Sequence, residues 1–407
     1  MNPKPNSIAQ ASTSTNDRLR ESPDFSLVLG GPLFQLFSKA HLTDDALQLV
    51  RQRIIVISLF AWLPLLVLSA WEGHALGGVP VPFLYDFAVH ARYLVAVPIL
   101  LLAEIVVHDR IRRVVRQFVD EGLVTSETAP GFQAAIASAM RLRNSLLVEV
   151  GMAVLVFGFG WAIFRGDTGL GSSSWFGTVH GAEKTPTIAG WWYLHVSIPM
   201  FQFLLFRWYF RLFVWFLFLT RVARLPLRLT PTHPDRAGGL GFVGTAAQAF
   251  APVIVAQSVV LSAVVGSRIV FQGTPLVAFQ YEIAAFVVLE LLLVLGPPCV
   301  FAKTLLDLKR QGRREYGVLA AHYTAEFHDK WIKGGAPAGE ALLGSSDIQS
   351  LADLANSYSV VREMRPVPVG KDTIVPIVAA AAIPLLPLGL AVVPADEILK
   401  KLFSLLL

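Results

Sequence analysis

Apolar residues along this chain collect into seven runs, separated by polar or charged stretches. The runs cover about 54–71, 93–107, 146–164, 190–220, 242–265, 276–296 and 373–393. An α-helix rises about 1.5 Å per residue, so about 20 apolar residues cross a hydrocarbon core of ~30 Å. A segment that leaves water must satisfy its own backbone, and a helix does so within itself. The pattern predicts an all-α fold: a polytopic transmembrane helical bundle of about seven spans with a small helical cytoplasmic element. Residues 25–302 hold six spans, and 373–407 hold the last span with a short interfacial C-terminal helix.

The polar stretches complete the organisation. Residues 1–24 are rich in Ser, Asn and Pro and read as a disordered cytoplasmic tail. They lack the apolar core of a cleavable signal, so the first span is expected to act as its own insertion signal. GPLFQLFSKAHL (31–42) reads as a surface-lying amphipathic segment, and Thr43 with Asp44 and Asp45 as a helix start. The connection 303–372 is the one extra-membrane region that reads as large enough to be a subdomain. Its first part extends the sixth span as a helix, and GGAPAGEALLG (334–344) reads as a flexible linker. In the next part Ile348, Leu351, Leu354, Ala355, Tyr358 and Val361 recur at helical spacing. Ser346 and Gln349 predict a capping box at the start of that helix, and RPVP ends it.

Charge orients the bundle. The 108–145 connection carries Arg110, Arg112, Arg113, Arg116, Arg141 and Arg143, whereas 72–90 carries no Lys or Arg. Arg165 and Lys184 are the only basic residues of 165–188, and Arg268 that of 267–275. Arg221, Arg224, Arg228 and Arg236 follow the fourth run; Lys303, Lys309, Arg310, Arg313 and Arg314 follow the sixth. Basic loops stay on the cytoplasmic side, which places the N-terminus inside and the C-terminus outside.

Composition agrees with this reading. Of 407 residues 54% are hydrophobic and 15% charged, against about 25% charged in soluble domains. The net charge of +5 sits at the ends of apolar runs, so it marks orientation; nucleic acid is not an expected partner. The expected partners are the lipid bilayer and a small solute or a protein. The one cysteine, Cys299, reads as a small packing residue.

One run raises a chemical question. The fourth carries Arg207 near its midpoint and Arg211 one turn later on the same face. A charge at that depth is paired or faces a wet cavity, unless the helix slides until Arg211 reaches the headgroups. That shift would leave LFVWFLFLT (212–220) needing burial elsewhere. Glu290, in the middle of VVLELLL, is the expected partner of the arginines; Glu104, Glu149 and Glu282 lie nearer span ends.

Two further groups stand out. TPTHPDRAGGLGFVG (230–244) combines His233, Asp235 and Arg236 with a glycine-rich turn into a helix, which can present backbone N–H groups to an anion. The same stretch also reads as an ordinary tight turn, and it has neither the P-loop nor the dinucleotide spacing. His322, Glu326 and Asp329 share one helical face, which reads as solvated rather than metal-binding. No metal or cofactor motif is present, and no nucleophile elbow or clustered triad marks a catalytic set. Prolines at 64, 98, 199, 252, 376, 384 and 387 predict kinks.

THPDRAGGLGF (232–242) after a basic loop, followed by SSDIQSLADLANSYSVVREMRPVP (345–368) before the last run, resembles a family of bacterial multi-span inner-membrane proteins with no assigned activity. The resemblance covers most of the chain beyond the tail. It implies a bacterial inner-membrane location and transfers no catalytic residue. The sequence favours a transport, channel or membrane signalling component that uses intramembrane charges. Two alternatives stay open: an enzyme acting on a phosphorylated or lipid substrate through His233, Asp235 and Arg236, and a scaffold binding a partner through 303–372.

Overall fold

The computed structural model describes residues 25–28, 30, 50–165, 174–180 and 183–392. The expected tail, the segment 31–42, the helix start at Thr43 and the C-terminal helix over 395–407 lie outside them.

The described chain is mostly helical, and five of its helices are long and apolar enough to cross a membrane: Val50–Trp71, Ile188–Val222, Gly241–Gln272, Leu276–Leu295 and Lys371–Gly389. They coincide with the first, fourth, fifth, sixth and seventh apolar runs. The run at 93–107 lies within a helix that continues to Asp120, and the run at 146–164 within the helix Leu146–Arg165.

In chain order, α1 (Val50–Trp71) carries Ala61, Leu65 and Ser69 inward, while Ile55, Val56, Leu59, Phe60, Leu63 and Val67 point out. A helix with an apolar outer face suits lipid. The Asp86 carboxylate then caps α2 (Phe87–His90) by accepting from the Ala88 and Val89 amides at 3.1 and 3.4 Å. A π turn (Ala91–Ala96) leads into α3 (Val97–Asp120). Beyond its apolar run, α3 continues as an amphipathic helix that buries Ile111, Val114, Val115 and Phe118. It turns back through α4 (Ala129–Arg143), which buries Phe132, Ala135, Ile136 and Ala139. α5 (Leu146–Arg165) follows, then an antiparallel hairpin of β1 (Gly177–His180) and β2 (Glu183–Pro186), with Thr178 opposite Thr185. This hairpin departs from the all-α expectation; the β-branched Thr178, Val179 and Thr185 favour extended backbone.

α6 (Ile188–Trp192), a π turn (Tyr193–Ser197) and α7 (Ile198–Val222) form one continuous helix of 35 residues. That is about 52 Å, well beyond a ~30 Å core. The excess is buried elsewhere. Leu212, Trp215, Phe218, Leu219 and Val222 pack into the α3–α4 hairpin, with Phe132 5.9 Å from Phe218 and 5.7 Å from Phe118. Phe118 is in turn 4.9 Å from Phe242 and 6.5 Å from Phe301. Beside the α11–α12 arm within 303–372, the stretch 108–145 is thus itself a helical hairpin with an aromatic core. Between its arginines, Ile111, Val114, Val115 and Phe118 recur at helical spacing.

α8 (Gly241–Ala246), a 3₁₀ turn (Ala247–Phe250) and α9 (Ala251–Gln272) come next. After α10 (Gln280–Leu295), a 3₁₀ turn at Pro297–Phe301 joins α11 (Ala302–Phe327), as the expected extension of the sixth run. α12 (Ser346–Arg362) packs along α11, and α13 (Lys371–Ala382) and α14 (Leu386–Val392) end the described chain.

The predicted capping box at α12 does not form. Ser345 is the N-cap residue without a side-chain bond, and Gln349 donates to Asp353 at 3.0 Å. The helix start is held instead by Asp347, which accepts from Lys330 Nζ and Trp331 Nε1, both at 2.9 Å. Lys330 also binds Glu340 at 2.6 Å, tethering the stretch read as a flexible linker. Pro98, Pro199 and Pro252 each directly follow a π or 3₁₀ turn within a longer run of helix. The change of hydrogen-bond register there accommodates the missing N–H. Pro64 and Pro376 do lie inside their helices.

Candidate functional site

Arg207 and Arg211 face inward together from α7, at 7% and 4% exposure. The glutamate between them and their neighbours is Glu104 on α3, not Glu290. Its Oε1 accepts from Arg211 Nη2 at 2.7 Å, and its Oε2 from Arg53 Nη2 on α1 at 2.9 Å. One buried carboxylate thus ties three helices. Arg211 also lies over the Trp208 ring at 4.5 Å, and the Trp208 indole donates to the Leu100 carbonyl at 3.2 Å. Charge-assisted pairs of this kind are strong but position-sensitive.

The segment 25–28 closes the other side. Ser26 Oγ bonds His108 Nδ1 at 2.8 Å, one turn beyond Glu104, and Arg143 of α4 donates to the Ser26 carbonyl. Phe25 packs against Phe218 at 4.9 Å and Trp215 at 6.3 Å. Arg207 sits one turn before Arg211, where Glu104, Glu149, Arg53 and Arg211 all act on it electrostatically.

Glu290 stands apart for a geometric reason. Residues 207 and 211 share a helical face, but residue 209 lies about 200° away round the axis. It is Tyr209 that reaches Glu290, donating to Oε1 at 3.3 Å, and the same hydroxyl bonds Gln257 of α9. Glu290 is 2% exposed and forms no ion pair among the described residues. The expected pairing of Arg207 or Arg211 with Glu290 is therefore overturned. Glu104 lies toward the end of its apolar run, and Arg53, Tyr209 and Gln257 carry no local signal in the sequence.

The loop with His233, Asp235 and Arg236 is built differently from its expectation. Its amides do face an anion, but the anion is the loop's own Asp235. Oδ1 accepts from the Ala237 amide at 2.8 Å and the Gly239 amide at 3.2 Å, and Oδ2 from the Gly241 amide at 2.8 Å. His233 Nδ1 stands 2.8 Å from Oδ1. Burial works against this charge, yet the Ala237 and Gly241 amides, the His233 ring and the Gly239 amide hold the carboxyl below the ordinary carboxylate range. Arg236 takes a left-handed conformation at φ 56°, and its guanidinium pairs with Glu363 at 3.1 Å.

The same loop docks the stretch at 364–368 that precedes the last apolar run. The Arg365 amide donates to the Arg236 carbonyl at 2.8 Å, and Lys309 Nζ to the Met364 carbonyl at 2.6 Å. Gly244 passes so close to the Pro368 carbonyl that a Cβ would overlap it. On α11, His322 Nδ1 lies 3.3 Å from a Glu326 carboxylate oxygen, and just beyond its end Asp329 pairs with Lys333 at 2.8 Å; both are one-turn contacts on the face expected to be solvated.

A second polar cluster lies near the β-hairpin. Trp175 Nε1 donates to Asp86 Oδ2 at 2.9 Å, and Arg92 donates to the Tyr193 hydroxyl at 2.5 Å with the Phe201 ring 5.6 Å away. Glu72 caps α6 by accepting from the Ile188 and Ala189 amides at 2.8 and 3.2 Å. The Trp175–Asp86 bond fastens the connection at 72–90 to that at 174–187, and the Glu72 bonds fasten it to the start of α6. Comparison of the chain with protein-family models, with curated proteins and with solved structures found no match.

Proposed function

We propose that the protein is a transport, channel or signalling component of a bacterial inner membrane. On this reading it has about seven spans and a cytoplasmic N-terminus. Five helices long and apolar enough to cross a membrane support it, as do the basic connections. The observation that carries the functional part is the Arg53–Glu104–Arg211 network with Arg207 beside it, buried between helices. Ionisable groups in such positions are expensive and mark solute paths or switches. The test is flux in proteoliposomes under imposed gradients of chloride, phosphate or potassium. Wild type should dissipate at least one of them faster than empty vesicles, and Glu104→Gln should abolish the difference. No flux of any of the three in wild type overturns the transport and channel reading.

An enzyme working through His233, Asp235 and Arg236 has less support, because Asp235 already holds the loop amides that a phosphate would need. A scaffold role through 303–372 draws on one observation: Val318, Ile332 and Leu343 on the α11–α12 arm are 71%, 66% and 88% exposed. Crosslinking from these positions in cells tests it, and the absence of any protein adduct counts against it.

A further inference from the structure

A cavity of about 740 Å³ opens where two of the long helices end. α7 stops at Val222, and the chain beyond it, from Ala223 to Pro231, lines the cavity opposite α11. α10 passes through the 3₁₀ turn Pro297–Phe301 into α11, so Lys303 stands in the first turn of that helix. The walls are held in place. The Arg228 amide donates to the Leu123 carbonyl at 2.9 Å, and the Thr230 amide to the Gly238 carbonyl at 3.2 Å. Pro231 packs so tightly on α11 that a Cβ added at Gly312 would stand 2.7 Å from its own Cβ. Leu227, Leu229 and Leu308 give the cavity an apolar lining. In the last turns before it, Phe213 and Phe216 of α7 and Leu289 and Leu292 of α10 are exposed, as apolar residues facing lipid would be.

The charged residues lining this cavity are ordered by sign. Arg224 comes two residues after the end of α7, and Lys303 opens α11, so the basic end lies next to the apolar belt. Neither side chain forms an ion pair or hydrogen bond among the described residues. Asp307 follows one turn later, about 6 Å along α11, and Glu315 about 18 Å along it. Asp307 meets only Arg310, at 3.5 Å, and Glu315 accepts from the Gln311 side chain at 2.7 Å. Two cations at the belt with a carboxylate one turn further out match a headgroup with phosphate nearest the membrane and an ammonium beyond it. Guanidinium and ammonium groups form charge-assisted bonds to phosphate, and basic pockets between helices at a membrane surface hold headgroups. A primary ammonium offers three N–H donors to a carboxylate, whereas a quaternary one offers none. Resting on the reading of the chain as membrane-spanning, and not on transport, we infer that this cavity binds the headgroup of phosphatidylethanolamine. Arg224 and Lys303 take the phosphate, and Asp307 takes the ammonium.

The experiment is thermal unfolding of the full chain in detergent, with short-chain phosphatidylethanolamine added in mixed micelles. Phosphatidylcholine and phosphatidylglycerol of the same chain length, and soluble phosphoethanolamine, are the comparisons. A ligand that binds only the folded state raises the midpoint with its concentration. The expected result is a midpoint raised by phosphatidylethanolamine at lower concentration than by any of the other three. Arg224 and Asp307 are exposed, so Arg224→Gln and Asp307→Asn should unfold with wild type when no lipid is added. Asp307→Asn should weaken the response about tenfold and bring it level with phosphatidylcholine, the loss expected for one hydrogen bond between charged groups. Arg224→Gln should weaken the response to all three phospholipids about tenfold. Equal wild-type responses to phosphatidylethanolamine and phosphatidylcholine overturn the inference, as does an Asp307→Asn or Arg224→Gln response equal to wild type. A stronger response to phosphatidylglycerol means a plain anion site and overturns the assignment of Asp307. A response to phosphoethanolamine equal to that of the lipid overturns the membrane as its source. Binding is read without flux, so this inference and the transport reading fail separately.

Discussion

Glu104→Gln tests the centre of the structure most sharply. The Glu104 carboxylate accepts from Arg211 at 2.7 Å and Arg53 at 2.9 Å, with side-chain exposures of only 5–6%. Glutamine keeps the shape and one acceptor but removes the charge that compensates both guanidinium groups. Breaking a buried pair by losing one partner costs about 3–5 kcal/mol, because the remaining charge is stranded. The two pairs share one carboxylate, so the loss should fall in that range rather than double it. Adding Arg211→Gln removes one stranded charge and should recover part of the loss, with a coupling of about 1–3 kcal/mol. Glu290→Gln is the internal comparison. Tyr209 can still donate to the amide oxygen, so the expected loss is about 1 kcal/mol, that of one altered neutral hydrogen bond. Reversible unfolding in mixed dodecyl maltoside and SDS micelles, followed by tryptophan fluorescence, measures wild type, Glu104→Gln, Arg211→Gln, the double mutant and Glu290→Gln. A Glu290→Gln loss equal to that of Glu104→Gln would refute the assignment of the network, as would strictly additive losses in the double mutant.

Gly244→Ala should destabilise by about 1–3 kcal/mol or more, since the new methyl group overlaps the Pro368 carbonyl; the yield of monodisperse protein after size exclusion checks this. Asp235 has its folded pKa lowered, so its contribution is present above the unfolded value of ~3.9 and is lost as pH falls through the lower folded value. Asp235→Asn should therefore lower the unfolding midpoint near neutral pH, and the gap to wild type should close below about pH 4; a gap that stays constant down to pH 3 contradicts the argument. Single cysteines introduced at 75 and 175 in a Cys299→Ser background should react with an impermeant maleimide from the periplasm, and one at 236 should not; labelling at 236 in intact cells overturns the orientation.

The sequence alone determined what is local. Apolar runs of sufficient length dictate helices, because a backbone leaving water must bond to itself. Five of the seven expected runs coincide with helices long enough to span. The helix along Ile348 to Val361 was legible for the same reason, since its period lies in neighbouring residues. Arg207 and Arg211 could be picked out because a charge in an apolar run is a local anomaly. Their partner was not legible. Glu104 lies 107 residues from Arg211 and 51 from Arg53, and hydropathy favoured Glu290 only because it sits deeper in its own run. Which glutamate meets the arginines depends on which face α7 turns toward α3, and that is set by packing. The α3–α4 hairpin was hidden in the same way. Its arginines signal a polar connection, but its aromatic residues become a core only when Phe218, Phe242 and Phe301 arrive from three other parts of the chain. The glycine-rich loop shows the limit most clearly. Its residues announce amides presented to an anion, and only the folded turn reveals that Asp235 is that anion, because the φ values of Arg236, Gly238 and Gly239 curl the backbone round its carboxylate.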